Sequence, residues 1–323
     1  MTFKQHWEKT DQHFKITPQT VEGMVALAFP DKKLASYKVI SDGSANLNIQ
    51  IQLSNERMPR ILRIYLREKC AAYREQKIER LIKDAVPIPE VYYIGDFNAE
   101  RFAITEFLQG ITLRDLLLTS GFHDIENIMM ETGCTLAAIQ TYRFPTSGFF
   151  DKDLNVAQKI QQDFAVSYTL ECLSHPTVRE KLGKTSILKI EKCLERYGSF
   201  FPDENQNHLV HADFDPANIL VQQCGGKWKI SGVLDWEFAF SGSPLCDVAN
   251  MLRYAHHMPK SFASSFLHGL KEHGMQLPEQ WQLTVHLLNL LSLLDCLRRC
   301  PPDVRPNQCK DIRELITYIL TQV

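Results

Sequence analysis

Three polar residues in the second half of the chain have the types, and stand in the order, that phosphoryl transfer to a hydroxyl requires. Asp213 and Asn218 lie in the run HADFDPAN, and Asp235 follows in the run VLDWE. Such a transfer needs metal ions that bridge the nucleotide phosphates, and a carboxylate that orients the acceptor hydroxyl and accepts its proton. Carboxylate and amide oxygens can supply both parts, so this block is a candidate half of a nucleotide-dependent site.

The elements predicted around this block would hold the polar residues in place. A strand over 219–221 follows Asn218, and a glycine turn leads into a strand over 228–234. Asp235 therefore falls at the end of a strand, where a metal ligand can be held firmly. We interpret His211 as a structural residue that orients the loop, because Asp213 already supplies a base.

Upstream, Arg63 and Glu75 have the arrangement of a phosphate-binding cation and its partner. Arg63 lies on a predicted strand over 61–65, and Glu75 lies on the apolar stripe of a predicted helix over 70–85. An unpaired carboxylate on a buried stripe is costly, so Glu75 needs a cation, and Arg63 is the nearest candidate. A kinase needs such a strand cation held by a helix glutamate. The alternative is that Glu75 lies at the edge of the stripe, in water.

The turn SDGSAN joins two predicted strands and is a candidate phosphate loop. Its residues Ser41, Gly43, Ser44 and Asn46 are small or turn-forming, which lets backbone N–H groups approach a phosphate. An ordinary hairpin loop has the same composition, so both readings stay open.

The segment EFLQG over 106–110 stands where the pattern changes from strand-rich to helix-rich. Unpaired backbone groups in such a connection could hydrogen-bond an adenine edge, while apolar neighbours cover its faces. We therefore include Glu106 and Leu108 among the candidate nucleotide contacts. Their position, and not their residue type, is the reason.

The hydrophobic periodicity of the whole chain predicts an α+β fold. Strands over 37–40, 47–53, 91–94 and 102–105 favour an antiparallel sheet in the first part of the chain. From about residue 124 the pattern is mainly helical, with predicted helices over 151–173, 176–197, 262–272, 279–297 and 310–320.

Composition excludes several classes of protein. The chain has 323 residues, of which 44% are hydrophobic and 23% charged, which is typical of a folded globular protein. A net charge of -2 gives no electrostatic reason to expect nucleic acid or a membrane as partner. Nine cysteines without a CxxC pair indicate reduced thiols, and no apolar run of signal-peptide length begins the chain. We expect a cytoplasmic protein.

At these residues the sequence resembles the aminoglycoside phosphotransferase and choline kinase-like family, which belongs to the protein kinase-like superfamily. The resemblance rests on HADFDPAN (211–218), LDWE (234–237) and GSPLCD (242–247). It extends to the SDGSAN turn, to the runs around Arg63 and Glu75, to VPIP and to TEFLQG.

The resemblance implies a two-lobed fold. A small N-terminal lobe over 1–105, with an antiparallel sheet and a helix, would bind the nucleotide. A hinge over 106–110 would connect it to a larger, mainly helical lobe over 111–323 that carries catalysis and acceptor binding.

The resemblance also implies a role for each matching residue. Asp213 would be the catalytic base, Asn218 and Asp235 would be magnesium ligands, and Arg63 with Glu75 would lie near the phosphates of ATP or GTP. Asp247 looks like the family's structural acid. The chain departs from the family at Ala212, where glycine is usual, at Asp215, where histidine or serine is commoner, and at Arg63, where protein kinases have lysine.

The acceptor is the part that the sequence defines least. Acceptors in this family include aminoglycosides, macrolides, choline, homoserine and sugar derivatives. A polyamine such as an aminoglycoside would need an acidic rim to pair its ammonium groups. The residues that could form it, each of which could equally be an ordinary surface acid, are Glu237, Asp215, Asp163, Glu171 and Asp295.

We favour a Mg-ATP or Mg-GTP dependent kinase of a small hydroxyl compound, either of an aminoglycoside, with antibiotic resistance as its role, or of a metabolite such as choline, homoserine or a sugar. A non-catalytic nucleotide-binding module on the same fold is one alternative. Another is an acyltransferase that uses His211 and Asp215 as an HxxxD pair, although it leaves Asn218 and Asp235 unexplained.

Overall fold

The computed structural model describes residues 3–8, 16–40, 46–119, 124–300 and 304–323, and the predicted α+β class is confirmed. The first part of the chain forms one antiparallel sheet and two helices. Its elements are α1 (Pro18–Ala28), β1 (Leu34–Ile40), β2 (Leu47–Leu53), β3 (Arg60–Ile64), α2 (Ala71–Ile82), β4 (Val91–Phe97) and β5 (Glu100–Glu106).

The five strands of this sheet stand in the order β1-β2-β3-β5-β4, and every neighbouring pair is antiparallel. The sequence LNIQIQL of β2 alternates buried and half-buried residues, because successive side chains of a strand point to opposite faces. The buried face packs on α1, which begins at the N-cap Thr17 and buries Val21, Met24 and Val25. The sheet therefore has a small core of its own.

The second part is mainly helical, and its small sheets carry the candidate catalytic residues. Its helices are α3 (Leu113–Thr119), α4 (Ile125–Ile139), α5 (Phe164–Ser174), α6 (Pro176–Tyr197), α7 (Leu245–Leu252), α8 (Lys260–Glu272), α9 (Trp281–Arg298) and α10 (Pro306–Ile319). Its strands are β6 (Ile111–Thr112), β7 (Gly148–Phe150), β8 (Val156–Lys159), β9 (His208–Val210), β10 (Ile219–Cys224), β11 (Lys227–Val233) and β12 (Phe240–Gly242). They form the sheets β11-β10-β6 and β8-β7-β12-β9.

One large core joins these helices to the inner face of α2, where Ile78 and Ile82 are fully buried. Residues 3–8 belong to this core through Phe3, so they lie on the helical part and not on the first sheet. The lobe boundaries predicted from the sequence remain a prediction. Among the described helices, none is both long and apolar enough to cross a membrane.

The predicted helix over 151–173 is wrong in its first half. The carboxylate of Asp151 accepts hydrogen bonds from the backbone N–H groups of Asp153 (2.8 Å) and Asn155 (2.9 Å), which closes a turn in place of a helical turn. Leu154 between them has φ 62°, and the chain then forms β8 before α5 begins at Phe164. The apolar spacing was compatible with a helix, and the Asx turn overrides it.

Candidate active site

Asp213 and Asn218 are locked together in the loop between β9 and β10. The side-chain amide of Asn218 donates to the backbone carbonyl of Asp213 at 2.9 Å and to its carboxylate Oδ2 at 3.0 Å. The backbone carbonyl of Asn218 accepts from the N–H of Leu234 at 2.8 Å, which ties the loop to the end of β11. The side-chain Nδ2 of Asn218 is thus used to hold Asp213, and Oδ1 is the acceptor atom of the same amide.

Asp247, at the start of α7, holds the beginning of this loop. Its fully buried carboxylate accepts hydrogen bonds from the backbone N–H groups of His211 (2.8 Å) and Ala212 (2.9 Å). Ala212 adopts φ 70°, a left-handed conformation that turns the chain toward Asp213. Burial raises the pKa of Asp247 to about 7, which the two N–H donors only partly offset.

His211 is a structural residue in this arrangement. Its Nε2 lies 2.8 Å from the carbonyl oxygen of Leu234, so Nε2 carries the proton, and its Nδ1 accepts from the backbone N–H of Asp213 at 3.2 Å. Burial lowers the pKa of the ring, which is fully inaccessible to solvent. Both ring nitrogens serve the backbone, so the acyltransferase alternative lacks its histidine base.

Asp235 lies at the end of the β11 segment and points toward the first sheet. Its backbone is left-handed (φ 66°) and caps the short 3-10 helix Trp236–Phe238. Its carboxylate Oδ1 lies 2.5 Å from Nη2 of Arg63 on β3. The arginine thus reaches from the first sheet to the candidate metal ligand.

Arg63 lies at the centre of a buried charge cluster with three carboxylates. Besides Asp235, its Nη2 lies 3.2 Å from Oε1 of Glu75 on α2 and 3.5 Å from Oε2 of Glu237. The hydroxyl of Tyr65 donates to the other oxygen of Glu75 at 2.5 Å. Burial lowers the pKa of Arg63, but Glu75 and Asp235 outweigh it and hold that pKa above its ordinary value. The ion pair expected between Arg63 and Glu75 is present, whereas its place at a nucleotide is still a prediction.

Glu237 is buried beneath Arg63 and does not lie on an exposed rim. Only 4% of it is accessible, and its Oε2 accepts from the side-chain amide of Asn46. Burial and then the charge of Asp235 raise the pKa of Glu237 to about 7. The expectation that Glu237 forms part of an acidic acceptor rim therefore conflicts with its position.

Asn46, at the start of β2, braces the end of the candidate phosphate turn. Its Nδ2 is bound to Glu237, and its Oδ1 accepts from the backbone N–H of Leu66 at 3.3 Å. Ser41, Gly43 and Ser44, the other predicted phosphate contacts, lie outside the described residues.

The predicted hinge packs closely on the β10-β11 sheet. The backbone N–H of Glu106 donates to the carbonyl of Glu90 at 2.8 Å, which continues the edge of the first sheet. Leu108 lies against Gly232, where an added Cβ would come within 2.5 Å of Leu108 Cδ1. A larger residue at position 232 would therefore displace the end of the Leu108 side chain.

The acids proposed for the acceptor rim are placed in two groups. Glu171 and Asp295 are paired with Arg298 at 2.8 and 3.3 Å, Asp295 also accepts from the hydroxyl of Tyr168, and Asp163 is exposed at the start of α5. Asp215, by contrast, is buried in the loop between β9 and β10, where its Oδ1 accepts from the backbone N–H of Ala217 at 2.8 Å.

Sequence reasoning missed Lys4, which contacts the candidate base. Its Nζ lies 2.7 Å from Oδ1 of Asp213 and is also paired with Oδ2 of Asp215. Burial raises the pKa of Asp213, but the charge of Lys4 outweighs this and holds that pKa below its ordinary value. No pattern in the sequence connects a lysine to an aspartate 209 positions away.

The oxygen ligands at the site fit a hard divalent cation. Asp235 offers a carboxylate, Asn218 offers an amide oxygen, and Oε1 of Glu237 is buried without a hydrogen-bond partner. Magnesium is held in such sites by one or two carboxylates together with substrate phosphates, and not by a closed protein cage. Among the described residues, no group of three or more His, Cys, Asp or Glu side chains is placed to hold a metal ion.

Comparison with known proteins gives the family. The profile of the phosphotransferase enzyme family matches residues 36–283. The chain is 29% identical over 172 residues to hygromycin-B 4-O-kinase of Escherichia coli, which covers 52% of this chain and 48% of that protein. It is 24% identical over 200 residues to acyl-CoA dehydrogenase family member 10 of Mus musculus, covering 59% of this chain and 17% of that protein. The chain thus matches less than half the length of either curated relative.

Solved structures agree with this result at the level of the fold. A thermostable mutant of aminoglycoside phosphotransferase APH(4)-Ia, in ternary complex with ADP and hygromycin B, superimposes with a TM-score of 0.71 at 22% identity, covering 94% of this chain and 98% of that one. Spectinomycin phosphotransferase APH(9)-Ia, in complex with ADP and spectinomycin, gives a TM-score of 0.66 at 11% identity, covering 96% and 100%. The fold is therefore the two-lobed, protein kinase-like fold, as the motifs implied. With a family profile that covers most of its length, the chain belongs to the phosphotransferase enzyme family.

Proposed function

We propose that this chain transfers the γ-phosphate of Mg-ATP or Mg-GTP to a hydroxyl of a small molecule. The observation that carries the proposal is the convergence of Asp213, Asn218 and Asp235 with the Arg63–Glu75 pair in one place. These are the base, the metal ligands and the phosphate-side cation that such a transfer needs. The nucleotide would lie between the first sheet and the β10-β11 sheet, beside the segment 106–110.

In this proposal each residue does one task. Asp213 orients the acceptor hydroxyl and takes its proton, and Asn218 keeps the carboxylate in position through its side-chain amide. Magnesium, when bound by Asp235 and Asn218, would neutralise charge on the phosphates. Arg63 turns from Asp235 toward the phosphates while Glu75 keeps hold of it.

The lobes predicted from the sequence fit this division of tasks. Residues 1–105 would supply Arg63 and Glu75, residues 106–110 the adenine contacts, and residues 111–323 the base and the metal ligands. The arm formed by residues 3–8 is the exception, because it contacts the helical part. All nine cysteines are free thiols, which supports the cytoplasm as the compartment.

For the acceptor, we propose to test aminoglycosides first. The E. coli relative is named for hygromycin B, and the solved relatives bind hygromycin B and spectinomycin. Of the predicted acids, Asp215 lies beside Asp213, where both carboxylates are paired with Lys4, whereas Glu171 and Asp295 are paired with Arg298. Choline, homoserine and sugars complete the panel and represent the metabolite-kinase alternative.

The decisive variant is Asp213→Asn, which removes the base and keeps the size of the side chain. We expect acceptor-dependent turnover to fall by about 10²–10⁴-fold, with nucleotide affinity nearly unchanged. Asp84→Asn, at an exposed acid after α2, is the matched control. Wild-type turnover in Asp213→Asn would refute the assignment of the base, and nucleotide binding without transfer to any acceptor would favour the non-catalytic module.

A further inference from the structure

Residues 3–8 form an arm that is fixed to the helical part by three separate contacts. Phe3 is buried against the rings of Tyr254 and Phe262, at centroid distances of 5.2 and 6.2 Å. The indole N–H of Trp7 donates to Asp311 on α10 at 2.7 Å. The carboxylate of Glu8 accepts from the first backbone N–H groups of α10, at 2.7 and 3.1 Å. The position of the arm is thus determined by packing, by a side-chain hydrogen bond and by a helix cap.

Between these contacts, Lys4 points into the catalytic loop. Only 17% of its side chain is accessible, against 29% for Asp213 and 7% for Asp215, the two carboxylates with which it is paired. The cation takes Oδ1 of Asp213, and the side-chain amide of Asn218 takes Oδ2 at 3.0 Å. Both oxygens of the candidate base therefore have a donor in this state.

An acceptor hydroxyl must approach one of these oxygens to within hydrogen-bonding distance, about 2.6–3.2 Å. The ammonium of Lys4 already lies at 2.7 Å from Oδ1. Hydroxyl and ammonium would compete for the same oxygen and for the space in front of it. A carboxylate whose charge is matched by a lysine is also a poorer proton acceptor.

We infer that Lys4 occupies the acceptor position when no acceptor is bound, and that the acceptor must displace it from Asp213 and Asp215. The inference rests on the proposed function, because it takes Asp213 as the residue that meets the acceptor. It assigns the arm a role in acceptor binding, in addition to its packing on the helical part. The three anchors keep the displaced lysine nearby, so it returns when the product leaves.

Steady-state kinetics with hygromycin B as the probe acceptor test this inference. Lys4→Met removes the competing cation, and we expect the acceptor KM to fall by about tenfold, the effect of one charged hydrogen bond, while the nucleotide KM is unchanged. Lys4→Arg keeps the cation, so its acceptor KM should stay close to that of the wild-type protein. Gln5→Met, at an exposed residue of the same arm, is the matched control.

Two outcomes would overturn the inference. A fall in kcat for Lys4→Met with an unchanged acceptor KM would mean that Lys4 takes part in the transfer. Equal kinetics of Lys4→Met and wild type would mean that the lysine does not occupy the position. Glu8→Gln provides a second test that does not alter Lys4 itself. It weakens the cap on α10 and so loosens the arm, and we expect it to lower the acceptor KM by a smaller factor than Lys4→Met does.

Chemical labelling of amines tests the arm without turnover. In the resting protein we expect Lys4 to react more slowly than exposed lysines, and Asp215→Asn to accelerate its labelling. Lys181, whose ammonium donates to the carbonyl of Cys300 at 2.8 Å, should be unaffected by that change. Rapid labelling of Lys4 in the wild-type protein would refute the inference. Absence of transfer to every probe, with Lys4 protected, would refute the proposed function and leave the docked arm established.

Discussion

Replacement of Arg63 by methionine tests the charge cluster that links the first sheet to the candidate metal site. The guanidinium is the cation shared by Glu75, Asp235 and Glu237, at 3.2, 2.5 and 3.5 Å. Methionine fills part of the volume and removes the guanidinium that the three carboxylates share, while the charges of Arg67 and Arg74 still act on Glu237 and Glu75. Removing one partner of a buried ion pair costs about 3–5 kcal/mol, so we expect a loss of this size in the free energy of unfolding at neutral pH.

The stability loss caused by Arg63→Met should depend on pH, and the pKa values of the carboxylates determine the direction of this dependence. Burial raises the pKa of Glu75, and burial with the charge of Asp235 raises that of Glu237 to about 7, even with Arg63 present. Without the arginine these acids bind protons more readily in the folded state than in the unfolded state. Their protonation stabilises the fold at low pH, and this stabilisation is lost as pH rises. The cost of Arg63→Met should therefore be smaller at pH about 5 than at pH about 8.

Urea unfolding at both pH values measures the loss in the free energy of unfolding caused by Arg63→Met. A double-mutant cycle with Glu75→Gln shows how much of this loss comes from the Arg63–Glu75 pair. The change Glu75→Gln would remove one of the unpaired charges, so the double variant should recover part of the loss, with a coupling of about 0.5–3 kcal/mol. Arg63→Lys retains a cation without the planar fork and is the matched control. A cost of Arg63→Met below about 1 kcal/mol at pH about 8, or no recovery in the double variant, would refute the view that this cluster is buried and cation-dependent.

Two further predictions concern the catalytic loop. Ala212→Gly should stabilise the protein by up to about 1 kcal/mol. A non-glycine residue at φ 70° costs about 1–2 kcal/mol, and the greater entropy of glycine in the unfolded chain offsets only part of the gain from removing that strain. A lower melting temperature for this variant would contradict the prediction. In the folded protein the pKa of Asp247 is raised to about 7, so the wild type should lose roughly 3 kcal/mol of stability relative to Asp247→Asn as pH rises from about 4 to about 7. Urea unfolding of both proteins across this range should show that slope. A constant difference would mean that the two N–H donors hold Asp247 ionised throughout.

The sequence was sufficient for the parts of the molecule that local patterns encode. Alternation in β2 and the apolar stripe of α2 predicted those elements, and the stripe also led from Glu75 to its partner Arg63. Motif spacing led to Asp213 and Asn218. The helix predicted over 151–173 failed because an Asx turn at Asp151 can outweigh apolar periodicity.

The missing parts depend on tertiary contacts between distant residues. Glu237 follows Asp235 in a motif and looked like a surface acid, but burial beneath Arg63 removes it from any rim. Lys4 lies in a short segment without periodicity, and it reaches Asp213 through the packing of Phe3, the hydrogen bond of Trp7 and the cap on α10. Such pairings have no local signal, because the attraction between two charges depends on distance in space and not on separation along the chain.

Both halves of the candidate site solve one electrostatic problem in the same way. A phosphotransferase needs several carboxylates close together, yet buried carboxylates without cations are costly before any ligand arrives. Arg63 pairs with Asp235 on the side that we propose for the nucleotide, and Lys4 pairs with Asp213 and Asp215 on the side that we propose for the acceptor. Magnesium held by Asp235 would take the place of arginine, and the acceptor would take the place of lysine, so each ligand would cost only the difference between two sets of contacts. We therefore expect magnesium to weaken the ion pair between Arg63 and Asp235 and to leave the rate of amine labelling at Lys4 unchanged, because the two cations pair with different carboxylates.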